Sequence, residues 1–374
     1  GPLHGIPYGA KDLLSARGAK TTWGAAPYQD QVIEDDALVV RRLEDAGAVL
    51  VAKLTLGALA WGDVWFGGTT KNPWNPDEGS SGSSAGPGSA VSAGLVPFAI
   101  GSETLGSIVS PSTRNGVTGL RPTTNRVPTD GAMALSWSMD KLGPMTRNAV
   151  DAALVFDAIR GPADGSPDAA FPFAPSSPLS DLRIGTTVPT DDLEGDAQLA
   201  DRDTVEVLRG LGVEPRRVEW PSEFPVGPLR LILEAEAAAA FGEFTRSREI
   251  DGLVRQTRDS WTAVFRHARF IPAVEYINAN RIRTQLMRAM TALFDQVDAL
   301  VVPSFDIGIL ITNLTGHPAV AIPNGLFPVE GHPERRSPHS ITVVGPLWGE
   351  HHALRVAHAI QDATDTHLQR PPTS

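Results

Sequence analysis

One segment, residues 79–110, limits what this chain can fold into more than any other. It reads GSSGSSAGPGSAVSAGLVPFAIGSETLGSIVS and holds nine Ser among many Gly. A Ser/Gly run is often a flexible linker. Here the run is interrupted by AVSAGLVPFAI (90–100), a strand-like apolar stretch that must be buried. We therefore expect both Ser/Gly loops to be fixed to one edge of a β-sheet, where such loops commonly bind ligands.

Two phosphate-binding motifs are only partly matched by these loops. The run from Gly101 to Ser107 is spaced like a phosphate loop but lacks its Lys. After Gly86 and Gly88, the third glycine position of the dinucleotide fingerprint is occupied by Val91. The loops therefore do not predict a nucleotide site.

Two serine-nucleophile motifs also occur. Residues 82–86, GSSAG, match the nucleophile elbow G-x-S-x-G, with Ser84 as the nucleophile. That motif follows directly on an apolar strand, whereas KNPWNPDEGSS (71–81) holds two Pro, two Asn and two acidic residues. An S-x-x-K match at Ser138 and Lys141 lacks the companion motifs S-D-N and K-T-G, and we expect Lys141 to be a surface charge.

A serine activated by a lysine is the chemistry that remains. Ser107 follows Thr104, Leu105 and Gly106 at the expected start of a helix, where unpaired backbone N–H groups can hold a developing oxyanion. A serine hydroxyl needs a base. No His lies near these loops, because the nine His stand at position 4 and from 267 onward. We interpret Thr104, Leu105 and Gly106 as an oxyanion and substrate-binding loop.

A lysine can act as the base only if it is uncharged. Lowering its pKa by about 3 units from about 10.4 costs about 4 kcal/mol, so this lysine must be buried in a prepared site. Lys11, within GIPYGAKDLL (5–14), is placed for burial at the end of a strand. Lys53, in VAKLTL, is the comparable alternative.

The succession of apolar runs and helical patterns predicts an α/β fold. DDALVVRRLEDA (35–46) has helical spacing, Gly47 ends that helix, and AVLVAKL (48–54) is expected to be a buried strand. A helix near 85–94 is expected to precede a strand at 95–101. Further elements are expected as strands at 182–188, 299–304 and 341–346, helices at 198–211 and 349–364, a surface connection at 160–180 and almost continuous helix over 229–299.

Charge and composition exclude several classes of function. The chain has 32 Lys+Arg against 43 Asp+Glu, a net charge of −11, and no basic run that could bind nucleic acid. It has no Cys, which excludes disulfides, thiolate zinc sites and a Cys nucleophile. No apolar stretch approaches the roughly 18 residues of a membrane span. We expect a cytoplasmic protein that binds neither nucleic acid nor a membrane.

A metal site is also not expected. His351 and His352 stand beside Glu350, but adjacent residues of a helix point about 100° apart and no third ligand is evident. We interpret them as the solvated start of a helix. No cofactor is predicted.

Several segments together resemble the amidase signature hydrolases over nearly the whole chain. GIPYGAKDLL is similar to the segment that bears the family's catalytic lysine, which maps to Lys11. GSSAGPGSAVSAGLVPFAIGSETLGSI (82–108) is similar to the Gly/Ser-rich signature, with Ser107 at the acyl-accepting serine. PWNP (73–76) and TNLTGHPAVAIPNG (312–325) match further landmarks. The resemblance implies one large domain, 1–374, with a mixed, twisted central sheet covered by helices.

The resemblance also implies a bridging serine whose peptide bond is cis. GSS occurs twice, at 79–81 and 82–84, and in this family the bridging serine precedes the nucleophile by 24 positions. That spacing selects Ser83, since Ser80 stands 27 positions before Ser107. The implied relay passes a proton from Ser107 to Ser83 and from Ser83 to neutral Lys11.

The chain departs from the family pattern at several positions. Where many members read G-G-S-I-R, it reads LGSIV (105–109), so Val109 replaces an arginine. Glu103 replaces the usual Asp and Ala85 a signature glycine. An ion pair between positions 103 and 109 is therefore expected to be absent. The helical segment that precedes the lysine strand in the family is missing from the sequence, which is expected to open the cleft.

The resemblance implies a cofactor-independent hydrolase of small amides, with carbamates (urethanes) and esters as neighbouring substrates. A urethanase or an aryl acylamidase is the specific expectation. We expect Gly57, Trp61, Trp65 and Phe66 to line an apolar pocket, and a mostly helical region at about 190–298 to select the substrate. A homodimer is a further expectation.

Three alternatives stay open. The first is the amide-transferring subunit of a tRNA-dependent amidotransferase, which would need partner chains and an ammonia source. The second is an α/β-hydrolase-type esterase that uses Ser84. The third is a catalytically silent binding module, which would have no need of Lys11, Ser83 and Ser107 together.

Overall fold

A β-sheet forms the centre of the computed structural model, which describes residues 1–164, 168–189, 191 and 193–372. The strands of the described residues are, in chain order, β1 Pro7–Lys11, β2 Val49–Leu54, β3 Val64–Trp65, β4 Gly68–Thr69, β5 Lys71–Asn72, β6 Asn75–Gly79, β7 Phe98–Glu103, β8 Thr118–Arg121, β9 Lys141–Thr146, β10 Ile184–Thr186, β11 Arg216–Arg217, β12 Ala299–Pro303, β13 Ala319–Val329 and β14 His332–Val344.

Helices cover this sheet. Within the same residues they are α1 Leu38–Asp45, α2 Ala85–Ser92, α3 Val109–Asn115, α4 Ala149–Ile159, α5 Gly195–Gly210, α6 Leu231–Ala240, α7 Gly242–Arg246, α8 Trp261–His267, α9 Ala273–Phe294, α10 Gly308–Thr315 and α11 Glu350–Thr364.

The main sheet is mixed, as predicted. In the part of the chain that the structure describes, ten strands pair in the order β11-β10-β12-β14-β13-β8-β9-β7-β1-β2. The strands at both ends run parallel to their neighbours, and the middle of the sheet from β12 to β7 is antiparallel. β3 with β4, and β5 with β6, form two short separate hairpins. The α/β class with one large domain is confirmed.

Local sequence explains the first unit of the fold. Val39, Val40 and Leu43 lie on the buried face of α1, and Gly47 ends the turn after it with a φ of 89°, a left-handed conformation that glycine adopts at no cost. The strand that follows, β2, is wrongly predicted as buried. It is the edge of the sheet, and Val49 and Val51 are 49% and 55% exposed. A run of aliphatic residues cannot by itself distinguish an edge strand from a central one.

Two further expectations are corrected. The strand predicted at 95–101 lies at Phe98–Glu103, because Gly94 adopts a φ of 72° in the turn after α2. The almost continuous helix expected over 229–299 is broken into α6, α7, α8 and α9. Arg248, with a φ of 69°, begins a short 3-10 turn that separates α7 from the rest.

A helix that crosses a membrane must be long and apolar. None of those formed by the described residues combines the length and the apolar character needed to cross a bilayer.

Core packing on α4 gives a test of the fold. Phe156 is fully buried in the main hydrophobic cluster, whereas Leu154 on the same helix is 52% exposed. We expect Phe156→Ala to lower the free energy of unfolding by about 3–5 kcal/mol, because it removes buried apolar surface and leaves a cavity. Urea unfolding measures the loss. Leu154→Ala is the matched control, and equal losses in the two variants would contradict the packing described here.

Candidate active site

The site is built at the carboxyl ends of two parallel strands. β1 and β7 pair side by side, with Ala10 opposite Ile100, so Lys11 and the residues after Glu103 reach the same edge of the sheet. Ligands bind at this edge in open α/β sheets. Both Ser/Gly loops lie there, which is where the sequence placed them.

Lys11 is completely buried and surrounded by hydroxyl groups. Its Nζ lies within hydrogen-bond distance of three hydroxyl oxygens, Ser83 Oγ at 2.7 Å, Ser102 Oγ at 2.8 Å and Ser84 Oγ at 3.0 Å. It forms no salt bridge with any carboxylate among the described residues. The candidate base and the candidate bridging serine are therefore brought into direct contact.

Burial without an ion pair determines the charge of this amine. Desolvation lowers the pKa of Lys11 well below the ordinary value of a lysine, and the more distant charges of Asp140 and Glu103 oppose that shift only in part. Three hydroxyls can receive hydrogen bonds from the amine, but they do not neutralise a positive charge. The environment therefore favours the uncharged amine that a base requires.

The first Ser/Gly loop contains a cis peptide bond between Gly82 and Ser83. Only a glycine fits at position 82, because a Cβ there would come within 1.9 Å of the carbonyl oxygen of Gly62. Ser84 follows at the N-terminus of α2 and is completely buried. Its Oγ donates to the Ser102 carbonyl oxygen at 3.0 Å and accepts from the Ser102 N–H at 3.1 Å. Ser84 therefore closes the hydroxyl cage around Lys11 and is not accessible as an esterase nucleophile.

Ser107 is partly exposed, as Ser102 is, whereas Ser83 and Ser84 are buried. Its carbonyl oxygen accepts the N–H of Ser84 at 3.2 Å, which ties its loop to the loop of the cis peptide. Gly106 before it has a φ of 83°. The backbone N–H groups of Leu105, Gly106 and Ser107 donate to no acceptor among the described residues. These unpaired donors belong to the candidate nucleophile and to the two residues before it.

The expected origin of those donors needs a correction. Ser107 does not begin the helix, since α3 starts at Val109. The first N–H groups of that helix are already bound, because Glu103 Oε2 accepts from Ile108 N at 2.7 Å and from Val109 N at 2.9 Å. The free donors therefore come from the loop before the helix.

Glu103 has an ion-pair partner that the sequence analysis missed. Arg121 Nη1, on β8, lies 2.8 Å from Glu103 Oε1, and both side chains are completely buried. Asn313 Nδ2, from the TNLTGHP landmark, donates to the same oxygen at 2.7 Å. Burial would raise the pKa of Glu103, but the charge and hydrogen bond of Arg121, with the Val109 N–H and Asn313, lower it to about 2. Glu103 cannot form an ion pair with Val109, but it forms one with an arginine on another strand, Arg121.

Thr104 and Lys141 are neighbours of Glu103, the first in the chain and the second across the sheet. Thr104 Oγ1 donates to Asp140 Oδ1 at 2.6 Å. Lys141, expected on the surface, is only 1% exposed because it sits in the middle of the sheet opposite Glu103, and its Nζ donates to the Met139 carbonyl oxygen. Burial, with the charge of Arg121 nearby, lowers the pKa of Lys141 to about 7.

A cavity of about 700 Å³ opens onto Ser107. Its walls combine loop residues of the sheet edge with residues of α6 and α8: Ala60, Trp61, Gly62, Asp63, Glu78, Gly79, Ser81, Gly82, Thr104, Leu105, Ser107, Arg114, Leu135, Arg230, Leu233, Glu234, Trp261 and Val264.

Of the four residues expected in the pocket, Trp61 lines this cavity. Gly57, Trp65 and Phe66 do not. Gly57 is buried against the backbone, where a Cβ would come within 2.2 Å of the Trp61 carbonyl oxygen. Trp65 and Phe66 pack edge to face on each other, 4.7 Å between ring centroids, around the β3–β4 hairpin. Trp261, which lies 4.5 Å from Trp61 between ring centroids, supplies the second aromatic wall.

The remaining candidates have structural roles. Lys53 Nζ pairs with Asp12 at 2.8 Å, so it is not free to act as the base. Ser80 Oγ donates to the Ser81 carbonyl oxygen at 3.1 Å. The rings of His351 and His352 lie 4.1 Å apart with their planes tilted by 40°, and no group of three metal-ligating side chains occurs in the described residues.

Known proteins share this sequence pattern over most of the chain. Residues 1–354 match the family model described as Amidase. The chain belongs to the amidase family. It is 32% identical to a glutamyl-tRNA(Gln) amidotransferase subunit of Roseiflexus castenholzii, over 99% of this chain and 84% of that protein.

Solved structures agree with the family assignment. The native peptide amidase of Stenotrophomonas maltophilia superposes with a TM-score of 0.81 at 27% identity, covering 100% of this chain and 85% of that one. A glutamyl-tRNA(Gln) amidotransferase subunit of Thermotoga maritima gives a TM-score of 0.79 at 26% identity, covering 96% and 83%. The family is therefore a C–N hydrolase or amidotransferase family, with the same fold in both kinds of relative.

The Glu103–Arg121 pair provides a stability test. At neutral pH, Arg121→Met should lower the free energy of unfolding by about 3–5 kcal/mol, because it leaves a buried carboxylate without its cation. Since the folded pKa of Glu103, about 2, lies below its unfolded value, the pair stabilises the fold above the unfolded pKa and this contribution is lost as the pH falls toward 2.

Urea unfolding of the variant and the wild type at pH 7 and at about pH 3 checks both statements, and the difference should be smaller at the acidic pH. The exposed pair of Arg209 and Glu214 offers the control, because Arg209→Met should change little. A variant as stable as the wild type at pH 7 would contradict the role of the pair.

Proposed function

We propose that this chain is a serine hydrolase that cleaves the C–N bond of small amides through an acyl-enzyme on Ser107, with Lys11 as base and Ser83 as proton bridge. The observation that carries the proposal is the buried, unpaired amine of Lys11, held 2.7 Å from the Ser83 hydroxyl. A lysine in that state has no structural use for its charge. It is placed to receive a proton.

The proposed relay conserves protons at every step. Neutral Lys11 takes the proton of Ser83, Ser83 takes the proton of Ser107, and the Ser107 oxygen attacks the carbonyl carbon. The same chain then returns the proton to the leaving nitrogen, so the C–N bond breaks and an amine departs. Water repeats the sequence on the ester of Ser107 and releases the acid.

The oxyanion of the tetrahedral intermediate has donors prepared for it. The N–H groups of Leu105, Gly106 and Ser107 have no acceptor among the residues described, and they belong to the loop that carries the attacking oxygen. Such donors stabilise the developing charge without having to reorganise. Glu103 supports them indirectly, because it holds the start of α3 and therefore the end of their loop.

The preferred acyl and leaving groups are a finer proposal. Carbamates and esters pass through the same kind of oxyanion as amides, and the walls of Trp61 and Trp261 suit an aromatic group such as an anilide. Activity as a urethanase or an aryl acylamidase is therefore proposed within the general activity. Matched anilides, carbamates and esters of one acid, assayed side by side, would rank these classes.

Membership of an amidotransferase complex is the second candidate, favoured by the 32% identity to the amidotransferase subunit of Roseiflexus castenholzii. In that case the chain would act with partner chains and an ammonia source. Hydrolysis of a simple anilide by the purified chain, with no partner present, would support the hydrolase. Activity that requires partner chains would support the amidotransferase.

Covalent labelling tests the nucleophile. A fluorophosphonate probe should label the wild type, and labelling should be lost in Ser107→Ala because the probe esterifies the attacking oxygen. Ser80→Ala is the matched control and should keep the label, since Ser80 lies in the other GSS triplet. Mass spectrometry of the labelled peptide locates the site. A label on Ser84 would instead restore the esterase alternative, and no label at all would favour a silent module.

The pH dependence tests the base. The rate should rise with pH as Lys11 loses its proton and should level off above its folded pKa, which lies well below that of an exposed lysine. Lys11→Ala should lower kcat by about 10²–10⁴-fold and abolish this limb. Exposed Lys71 provides the control variant, Lys71→Ala. A pH limb that persists in Lys11→Ala with the wild-type midpoint would contradict the assignment.

A further inference from the structure

We propose that Asp63 binds a cationic group of the substrate, so that this site prefers amides that carry an ammonium group over neutral or anionic ones. The inference rests on the proposed hydrolase function and names the substrate class of that same cavity. It comes from the charges that line the cavity, which are not balanced.

Four other charged side chains line the cavity, and they form two pairs. Arg230 lies 2.9 Å from Glu234, on α6, and Arg114 lies 3.9 Å from Glu78. Asp63 is the fifth charged residue and has no salt bridge within the described residues. The cavity therefore keeps one negative charge that the protein itself does not compensate.

The position of the Asp63 carboxylate is fixed by its surroundings. Its Oδ2 accepts the N–H of Ser81 at 3.0 Å. Gly79 leaves room for it, because a Cβ on Gly79 would come within 2.0 Å of that oxygen. The carbonyl oxygen of Asp63 also accepts the N–H of Thr70 at 3.1 Å. A carboxylate held in this way does not need to be ordered again when a ligand binds.

This carboxylate is close to the proposed chemistry. Ser81, its hydrogen-bond partner, stands two residues before Ser83. The residue before Asp63, Gly62, packs its carbonyl oxygen against Gly82, where the cis peptide begins. A group bound to Asp63 is therefore part of the substrate near the bond to be cleaved, and not a distant tail.

Asp63 has unused capacity to accept hydrogen bonds. A carboxylate can accept about four, and Asp63 receives one, from the Ser81 N–H, among the described residues. An ammonium group offers three donors together with the missing charge. A carboxylate on the substrate would instead be repelled by the like charge of Asp63. The chemistry that fits is a primary ammonium.

The aromatic walls favour the same ligand. Trp61 lies two residues before Asp63, and its ring meets that of Trp261 edge to face. Trp261 Nε1 donates to the Leu59 carbonyl oxygen at 2.7 Å, which fixes the ring. Indole faces attract cations, and apolar walls accept the alkyl chain that carries one. Leu233 and Val264 complete the apolar part.

Three anilides of nearly equal size test the inference. β-Alanine 4-nitroanilide carries an ammonium, butanoyl 4-nitroanilide replaces it with methyl, and succinic mono-4-nitroanilide replaces it with carboxylate. We expect kcat/KM to be about 10- to 100-fold higher for the ammonium compound than for the methyl compound, and lowest for the carboxylate. N-(2-aminoethyl)acetamide against N-propylacetamide repeats the comparison with the ammonium on the amine side.

Variants assign the preference to Asp63. Asp63→Asn keeps an oxygen for the Ser81 N–H but removes the charge, so the ratio of kcat/KM between ammonium and methyl compounds should fall to near unity. Glu234→Gln changes the charge of the cavity by the same amount while Asp63 stays intact, so most of the ratio should persist. If the ratio falls equally in both variants, the preference comes from the net charge of the cavity and not from contact with Asp63, and the inference is overturned.

Binding is measured independently of turnover. Calorimetry on Ser107→Ala, with and without Asp63→Asn, should show tighter binding of the ammonium compounds only where Asp63 is present. If the wild type binds or hydrolyses the methyl compounds as well as the ammonium ones, the inference is wrong while the hydrolase function stands. If no amide of the panel is hydrolysed, the hydrolase function fails instead.

Discussion

A buried amine that has no carboxylate beside it is the constraint on which the site depends. Burying a charged lysine without a partner is costly, and proteins avoid the cost by neutralising the group. Ser83, Ser84 and Ser102 surround Lys11 with hydroxyls, which can donate to a neutral amine as well as accept from it. The hydroxyl cage therefore satisfies the amine without restoring its charge, and this explains why three serines meet at Lys11.

The nucleophile loop is held by a second buried network of opposite character. Here the charge is retained, because Glu103 is fully paired by Arg121 and also accepts from Asn313 and two backbone N–H groups. Arg121 in turn donates to the His317 carbonyl oxygen at 2.8 Å. One carboxylate thus joins β7, β8, α3 and α10. Since it uses the first donors of α3, the donors that stay free are those of the loop at Ser107, where a reacting oxygen would lie.

Much of this could be predicted from the sequence, and the failures have physical causes. The fold class follows from the succession of apolar and helical patterns, and the pairing of Lys11 with Ser83 from the resemblance to the amidase signature hydrolases. Arg121 was missed because its partner Glu103 is 18 positions away on a strand that is not adjacent, and an isolated arginine carries no motif. Lys141 was misplaced because a lone lysine usually signals surface, whereas β9 lies in the middle of the sheet. The order in which strands pair decides which strands are buried, and sequence patterns do not reveal that order.

Two parts of the fold line the cavity. The sheet edge supplies the hydroxyls and the unpaired backbone N–H groups, and Gly82 there has no room for a side chain, because a Cβ would meet the Gly62 carbonyl oxygen. The helices α6 and α8 and the turn before α6 supply Arg230, Leu233 and Trp261, whose side chains lie outside the sheet. Asp63 belongs to the part at the sheet edge, and the residue before it packs against Gly82, where the cis peptide begins. Under the two proposals above, the charge of the substrate is selected next to the reacting bond, and its size and shape are selected by the helices.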